Sequence, residues 1–180
     1  SKIAEIELDL NKISEDRIWI EHIEPLIQGF PENIRDIWEY GFTEMLNNAI
    51  DHSEGEKVYI HVYITPISMD MYIHDDGIGI FKKIKESCHL HDERQAVLEL
   101  AKGKFTTDPD NHSGEGIFFT SRCFDRFDIH SGNVFFNHHE RINDENWVFE
   151  NDPPLPGTTV TMELSGHSTN NIEGIFAKYA

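Results

Sequence analysis

Two runs of alternating residues lie almost end to end in this chain: Lys57–Thr65 (KVYIHVYIT) and Ser68–Asp75 (SMDMYIHD). Only the short Thr65-Pro66-Ile67 turn joins them. Alternation puts successive side chains on opposite faces of a strand, and so short a connection suits antiparallel pairing, because a parallel pair needs a long crossover. The sequence therefore predicts a hairpin with one buried face. Its second strand ends on Asp75-Asp76, and Gly77-Ile78-Gly79 follows at once. Glycine there permits positive φ and lets the backbone approach a ligand closely. Read alone, the same residues also describe an acidic turn.

Ile3–Leu10 alternates in the same way and predicts an opening strand. A helix is expected from Ser14 through Ile18, Ile20, Ile23 and Leu26, closed by Gly29 and Pro31. A second helix spans about Asn33 to Asp51, where Ile34, Ile37, Trp38, Phe42, Met45, Leu46 and Ala49 recur at helical spacing. Helical turns follow between Phe81 and Ala101, stopping at Gly103; Lys104–Ser113 is polar and turn-rich; Gly116–Phe124 is helical. Further strands are expected near Phe127–His130, Val134–Asn137, Trp147–Glu150 and Thr158–Leu164, and the final NIEGIFAKYA is a modest helix. Helices set among hairpins point to an α+β two-layer sandwich rather than a doubly wound parallel sheet. The expected organisation is an N-terminal strand and helix (1–32), a core (33–165) and a C-terminal extension (166–180).

With 38% hydrophobic and 27% charged residues, the 180-residue chain has the composition of a globular domain. No apolar run reaches the ~20 residues that cross a bilayer, and SKIAEIELDL lacks a signal-peptide pattern. Two cysteines, Cys88 and Cys123, are too few for a disulfide scaffold, so a cytoplasmic protein is expected. Fifteen basic against 33 acidic residues give a net charge of -18, which opposes nucleic-acid binding. A polyphosphate would have to be held by metal and backbone dipoles. Cys88-His89-Leu90-His91 and His138-His139 are the groups that could suggest a transition-metal site, but no second cluster has ligand spacing. The missing initiator Met suggests a piece of a longer protein.

Chemistry concentrates in three stretches. In EMLNNAIDH, Glu44 and Asn48 are four residues apart and share a helix face, with His52 one turn further on. In DDGIGI, an aspartate at a strand end can accept an exocyclic amine. In SGEGI, Ser113–Ile117, glycines open a helix whose first amides can bond phosphate oxygens. Singly, each is also ordinary: an amphipathic helix, a turn, a plain helix start. No GxxxxGK[ST] loop is present, and Gly77-Ile78-Gly79 lacks the third glycine of a dinucleotide fingerprint.

Taken in order, E-x-x-x-N, D-x-G-x-G and G-x-G resemble the N, G1 and G2 boxes of the GHKL superfamily of ATPases and kinases, and GTTVTMEL from Gly157 resembles its late strand. The resemblance spans roughly residues 35 to 165. It implies a Bergerat-type sandwich, with a mixed, mostly antiparallel sheet and helices on one face. It implies ATP and Mg2+ as cofactors. Asn48 would ligate the metal, Glu44 would act on the attacking water or acceptor, and Asp75 would read adenine with Thr158. Gly77 and Gly79 would pass beneath the nucleotide, and Gly114 and Gly116 would cradle phosphates. Residues 102–112 would form a lid, with Lys102, Lys104 and His52 as candidate phosphate contacts. Glu115 departs from the pattern, since a carboxylate beside triphosphate is unfavourable. His22-Ile23-Glu24-Pro25-Leu26 is too short for a phosphoacceptor motif, so a histidine-kinase reaction is not expected from this chain. The wording NNAIDHS is most similar to anti-sigma-factor-type serine kinases, whose partners are STAS-like proteins or domains. An ATP-gated binding module with little turnover is the alternative.

Overall fold

The computed structural model describes residues 1–102, 113–139 and 146–180, with backbone alone at 100–102, 113–114 and 146–155. Strands β1 (Lys2–Asp9), β2 (Lys57–Thr65), β3 (Ser68–Asp75), β4 (Arg126–His139) and β5 (Asn146–Ser165) form one sheet in the order β1-β2-β3-β5-β4. Every pairing among them is antiparallel, so the expected mixed sheet is corrected to an antiparallel one. The physical reason lies in the connections: neighbouring strands are reached by reversal, and no βαβ crossover joins two adjacent strands.

Alternation decides which face is covered. Val58, Ile60, Val62 and Ile64 of β2, with Met69, Met71 and Ile73 of β3, are buried. Tyr59, Tyr63 and Tyr72 lie on the opposite, open face. Helix α2 (Glu32–His52) supplies the other half of the core through Ile34, Ile37, Trp38, Phe42, Met45, Leu46 and Ala49. Burying each of the larger side chains contributes about 1.5–3 kcal/mol. Trp38 meets Phe124 edge-on with ring centroids 4.7 Å apart, tying α2 to the end of α5 (Ser113–Cys123). The result is an α+β arrangement of two layers, a sheet with helices against one face.

The chain before α2 does not hold one helix. After α1 (Glu15–Ile18) it widens into a π turn, Trp19–Ile23, and then tightens into a 3₁₀ turn, Glu24–Leu26. Pro25 has no N–H to continue an α-helical ladder. Ile18, Trp19, Ile23 and Ile27 are buried, whereas Ile20, expected on the buried stripe, points outward. The helical turns after the glycine loop are α3 (Ile80–Ser87) and α4 (Glu93–Lys102); Gly103 and Lys104 lie outside the described residues. The closing helix α6 (Ile172–Tyr179) is capped at its start, where Asn171 Oδ1 accepts from the Gly174 N–H at 2.7 Å. It docks through rings: Phe176 meets Tyr40 and Phe119, and Tyr179 meets Phe118.

The four late strands expected from the sequence occur as halves of two long ones. In β4, Asn137 Nδ2 donates to Asp128 Oδ1, and the rings of His130 and Phe135 lie 4.1 Å apart. Nine residues of straight strand would span about 30 Å. The strand therefore reverses near Gly132, which has φ +58° and a register break beside it. In β5 the irregular point is Gly157, with φ +69°, where a Cβ would collide with the Asp75 carbonyl.

That collision is with backbone, which cannot swing aside. Gly157→Ala is expected to destabilise the chain by about 2 kcal/mol or more in urea unfolding. Gly29→Ala, where a Cβ meets nothing within 4 Å, should stay within about 0.5 kcal/mol. Equal midpoints for the two variants would contradict this account of the bend.

Candidate functional site

The alternation that buries Met69, Met71 and Ile73 carries on by one more step to Asp75, placing its carboxylate on the helix side of the sheet. It is 5% exposed. Asp76 falls on the other side and is spent on structure: its Oδ1 accepts from the backbone N–H groups of Glu56 (2.8 Å) and Lys57 (3.0 Å), fixing the start of β2. The two adjacent aspartates thus have different jobs, decided by strand period.

Burial pushes the Asp75 carboxyl above its ordinary value, against the backbone N–H groups of Gly77 and Thr158 and the neighbouring His74, which pull it down. The Gly77 N–H donates to Oδ1 at 2.9 Å. Ser53, just past α2, sets the glycine loop in place. Its Oγ donates to the Ala49 carbonyl at 2.6 Å, and its own carbonyl accepts from the Ile78 N–H at 2.8 Å. Gly77 is packed so tightly against Ser53 that no side chain would fit.

Thr158 stands opposite Asp75 on β5, and Ser131 stands opposite Thr158 on β4. All three are buried, a polar row across a face otherwise lined by Ile60, Ile73, Ile129 and Val160. The Thr158 hydroxyl oxygen accepts from the Ile80 N–H at 2.8 Å, satisfying the first amide of α3. Its proton remains to be donated elsewhere. Gly79 sets up that turn with φ +96°, and a Cβ on it would lie 2.5 Å from Ser131 Oγ.

A cavity lies between this row and α2. Its polar lining is Asn48, His52, Ser53, Asp75 and Thr158; its apolar lining includes Met45, Ala49, Ile73, Ile80, Ile117 and Val160. It is narrow: about 20 Å³ admits the centre of a water-sized sphere, room for a water or two. Asn48 and His52 reach it because they lie one helical turn apart on α2. Burial pulls the His52 imidazole below its ordinary value, opposed by Asp51. His52 is therefore mostly neutral at pH 7.

Of the residues expected at a site, Asn48, Asp75 and Thr158 line this one cavity, and Gly77 and Gly79 form the loop beside it. Glu44 sits a turn earlier on α2, outside the lining, under Gly116 of α5. Gly114 is in the first turn of α5 and Lys102 ends α4. Lys104 and most of the expected lid lie outside the described residues. Helix α5 runs from Ser113, so Gly116 is helical as expected and Gly114 lies inside the helix rather than before it. Sequence reading missed Ser53 and Ser131 as shapers of the site. Ser53 left a trace as the helix-ending serine; Ser131 is visible only through strand register. A wider groove between α2 and α6 is lined by Glu32, Asp36, Glu39 and Glu173, a setting that repels phosphate. Among the described residues, no cluster of three or more His, Cys, Asp or Glu could hold a metal, and no helix is long and apolar enough to cross a membrane.

No protein-family model matches the chain, and no curated protein matches it in sequence.

The raised Asp75 carboxyl has a testable sign. Folded chains hold this proton to higher pH than unfolded ones, so stability falls as pH rises through the folded value. Asp75→Asn removes that cost. The variant is expected to be more stable than the wild type at pH 7 by urea midpoint, with a lead that shrinks as pH falls toward the ordinary aspartate value of 3.8. A lead that grows on acidification would contradict the assignment.

Proposed function

We propose that this chain is a Bergerat-type nucleotide-binding domain. In this reading it holds ATP with Mg2+ and hydrolyses it, or passes the γ-phosphate to a serine or threonine of a regulatory partner in bacterial signalling. The observation that carries the reading is the shared cavity: a buried carboxylate at a strand end and an amide from the facing helix open into one apolar slot.

The chemistry of the lining supports a purine. Apolar walls suit an aromatic heterocycle, and a few convergent polar groups suit its edge. Asp75 offers a carboxylate acceptor for an exocyclic amine, and the Thr158 hydroxyl has a proton left to donate to a ring nitrogen or an intervening water. The slot must widen to admit a ring, by parting of Ile80 on α3 and Ile117 on α5.

The donor set also fits magnesium in one particular way. Asn48 supplies a single neutral oxygen, and the described residues hold no carboxylate cage. Magnesium keeps several waters and is commonly bound through substrate phosphates, so one protein oxygen is enough, provided the nucleotide brings the rest. When bound, the ion would supply positive charge at the phosphate oxygens. With net charge -18 the surrounding field does not help. Glu44, one turn from Asn48, is placed to accept a proton from water or from an acceptor hydroxyl. An acid there favours turnover over simple gated binding. The partner in this reading is a small regulatory protein or domain of the STAS-like kind.

Calorimetric titration with ATP and ADP, with and without Mg2+, tests the proposal. Asp75→Ala is expected to abolish binding of both nucleotides. Asn48→Ala should keep metal-free binding and lose the gain from Mg2+. Undiminished ATP affinity in Asp75→Ala would overturn the proposal. Separately, Glu44→Ala should release phosphate at least about 10²-fold more slowly with ATP affinity within about 3-fold. Unchanged release would remove Glu44 from the chemistry.

A further inference from the structure

Gly116 is buried in the first turn of α5, and its bare Cα faces the side chain of Glu44 on α2. A Cβ built there would overlap Glu44 Oε2 and lie 3.1 Å from Glu44 Cδ and 3.8 Å from Glu44 Cβ. The helix therefore rests on the carboxylate itself. Its φ is not positive, so neither a turn nor backbone strain explains the glycine. What explains it is the space that the acid occupies.

We propose that Gly116 is a positioning residue: its missing side chain is the seat that holds the Glu44 carboxylate. This rests on the reading of Glu44 as the acid of phosphate release. It assigns the second glycine of S-G-E-G to the acid rather than to the phosphates. The seat is also selective in what it tolerates. At Gly77 and Gly157 the obstacle to a Cβ is backbone, of Ser53 and Asp75 respectively, so those substitutions strain the fold. At Gly116 the obstacle is the end of a flexible side chain, which can swing away. An alanine there leaves the fold nearly intact and moves the carboxylate. General-base catalysis depends on placement to within a fraction of an ångström, so turnover responds where stability does not.

The test is a double-mutant cycle on the 180-residue chain with Gly116→Ala, Glu44→Asp and the pair. Each is measured for MgATP affinity by calorimetry, for phosphate release at saturating MgATP, and for urea midpoint. Aspartate is one methylene shorter and withdraws the carboxylate from the alanine methyl. With Glu44 intact, Gly116→Ala is expected to slow release by about 10²-fold, with MgATP affinity within about 3-fold. In the Glu44→Asp background the same change should cost less than about 3-fold. A readout free of turnover follows the carboxyl ¹³C resonance of Glu44, assigned through Glu44→Gln, which Gly116→Ala should shift.

Equal costs in both backgrounds would overturn the proposal, as would a loss that falls on affinity, which would mark Gly116 as a phosphate contact. An unmoved ¹³C resonance would also overturn it. A shifted resonance in a chain whose release is indifferent to Glu44→Ala supports the seat and refutes the catalytic reading on which its purpose depends.

Discussion

The site depends on a carboxylate placed where a core side chain belongs. The strand that carries Met69, Met71 and Ile73 into the core carries Asp75 to the next inward position. Burying a charge there is costly unless hydrogen-bond donors meet it, and the surrounding structure is arranged to meet it. The Gly77 N–H donates to it, which requires the tight loop, and the loop requires Ser53 at the end of α2. Opposite, Thr158 stands in register, and its hydroxyl starts α3 through the Ile80 N–H. Glycine at 157 lets β5 pass close to the Asp75 carbonyl. Loop, helix end and strand bend all serve one buried acid.

The strand period was the part of this arrangement most readable in the sequence. KVYIHVYIT and SMDMYIHD could only pair as a hairpin with one apolar face, and the register found is the one their alternation demands. The helical stripe of α2 was equally plain. What the sequence hid were effects of tertiary contact. The chain before α2 carries apolar residues at helical spacing, yet it tightens at Pro25 and turns Ile20 outward. The reversal of β4 near Gly132 follows from cross-strand pairs such as Asp128 with Asn137, which no local pattern announces. S-G-E-G reads as a glycine-rich helix entry with Gly116 as the first helical residue, because glycine disfavours helix, but α5 also takes in Ser113 and Gly114. A glycine kept inside a helix despite that penalty points to a close neighbour. Here the neighbour is Glu44.

Within the site, Asn48, Asp75 and Thr158 come from elements distant in sequence: α2, β3 and β5. Each was recognisable by type, a helical amide, a strand-end acid and a threonine after glycine. Their convergence was not derivable from spacing, because it depends on which strands become neighbours. Ser53 lines the cavity and Ser131 packs against Gly79 beside it; neither carries a chemical signature of its own, so only register and packing reveal them. The narrowness of the slot is likewise a packing property. Ile80 and Ile117 line the slot from α3 and α5, so in the proposed function ligand binding is coupled to movement of those helices. In the proposed function that coupling would connect the slot with the acid, since the same α5 that carries Ile117 also packs Gly116 against Glu44.

In the proposed function the Asp75 carboxylate recognises the purine edge. Adenine presents an amine to such an acceptor, whereas guanine presents a carbonyl oxygen at the same position, which a carboxylate repels. Competition between ATP and GTP for the wild-type chain, at equal Mg2+, tests this most directly. ATP should bind at least about 10²-fold more tightly, the discrimination expected of a buried polar group left without a partner. Equal affinity for the two nucleotides would contradict it.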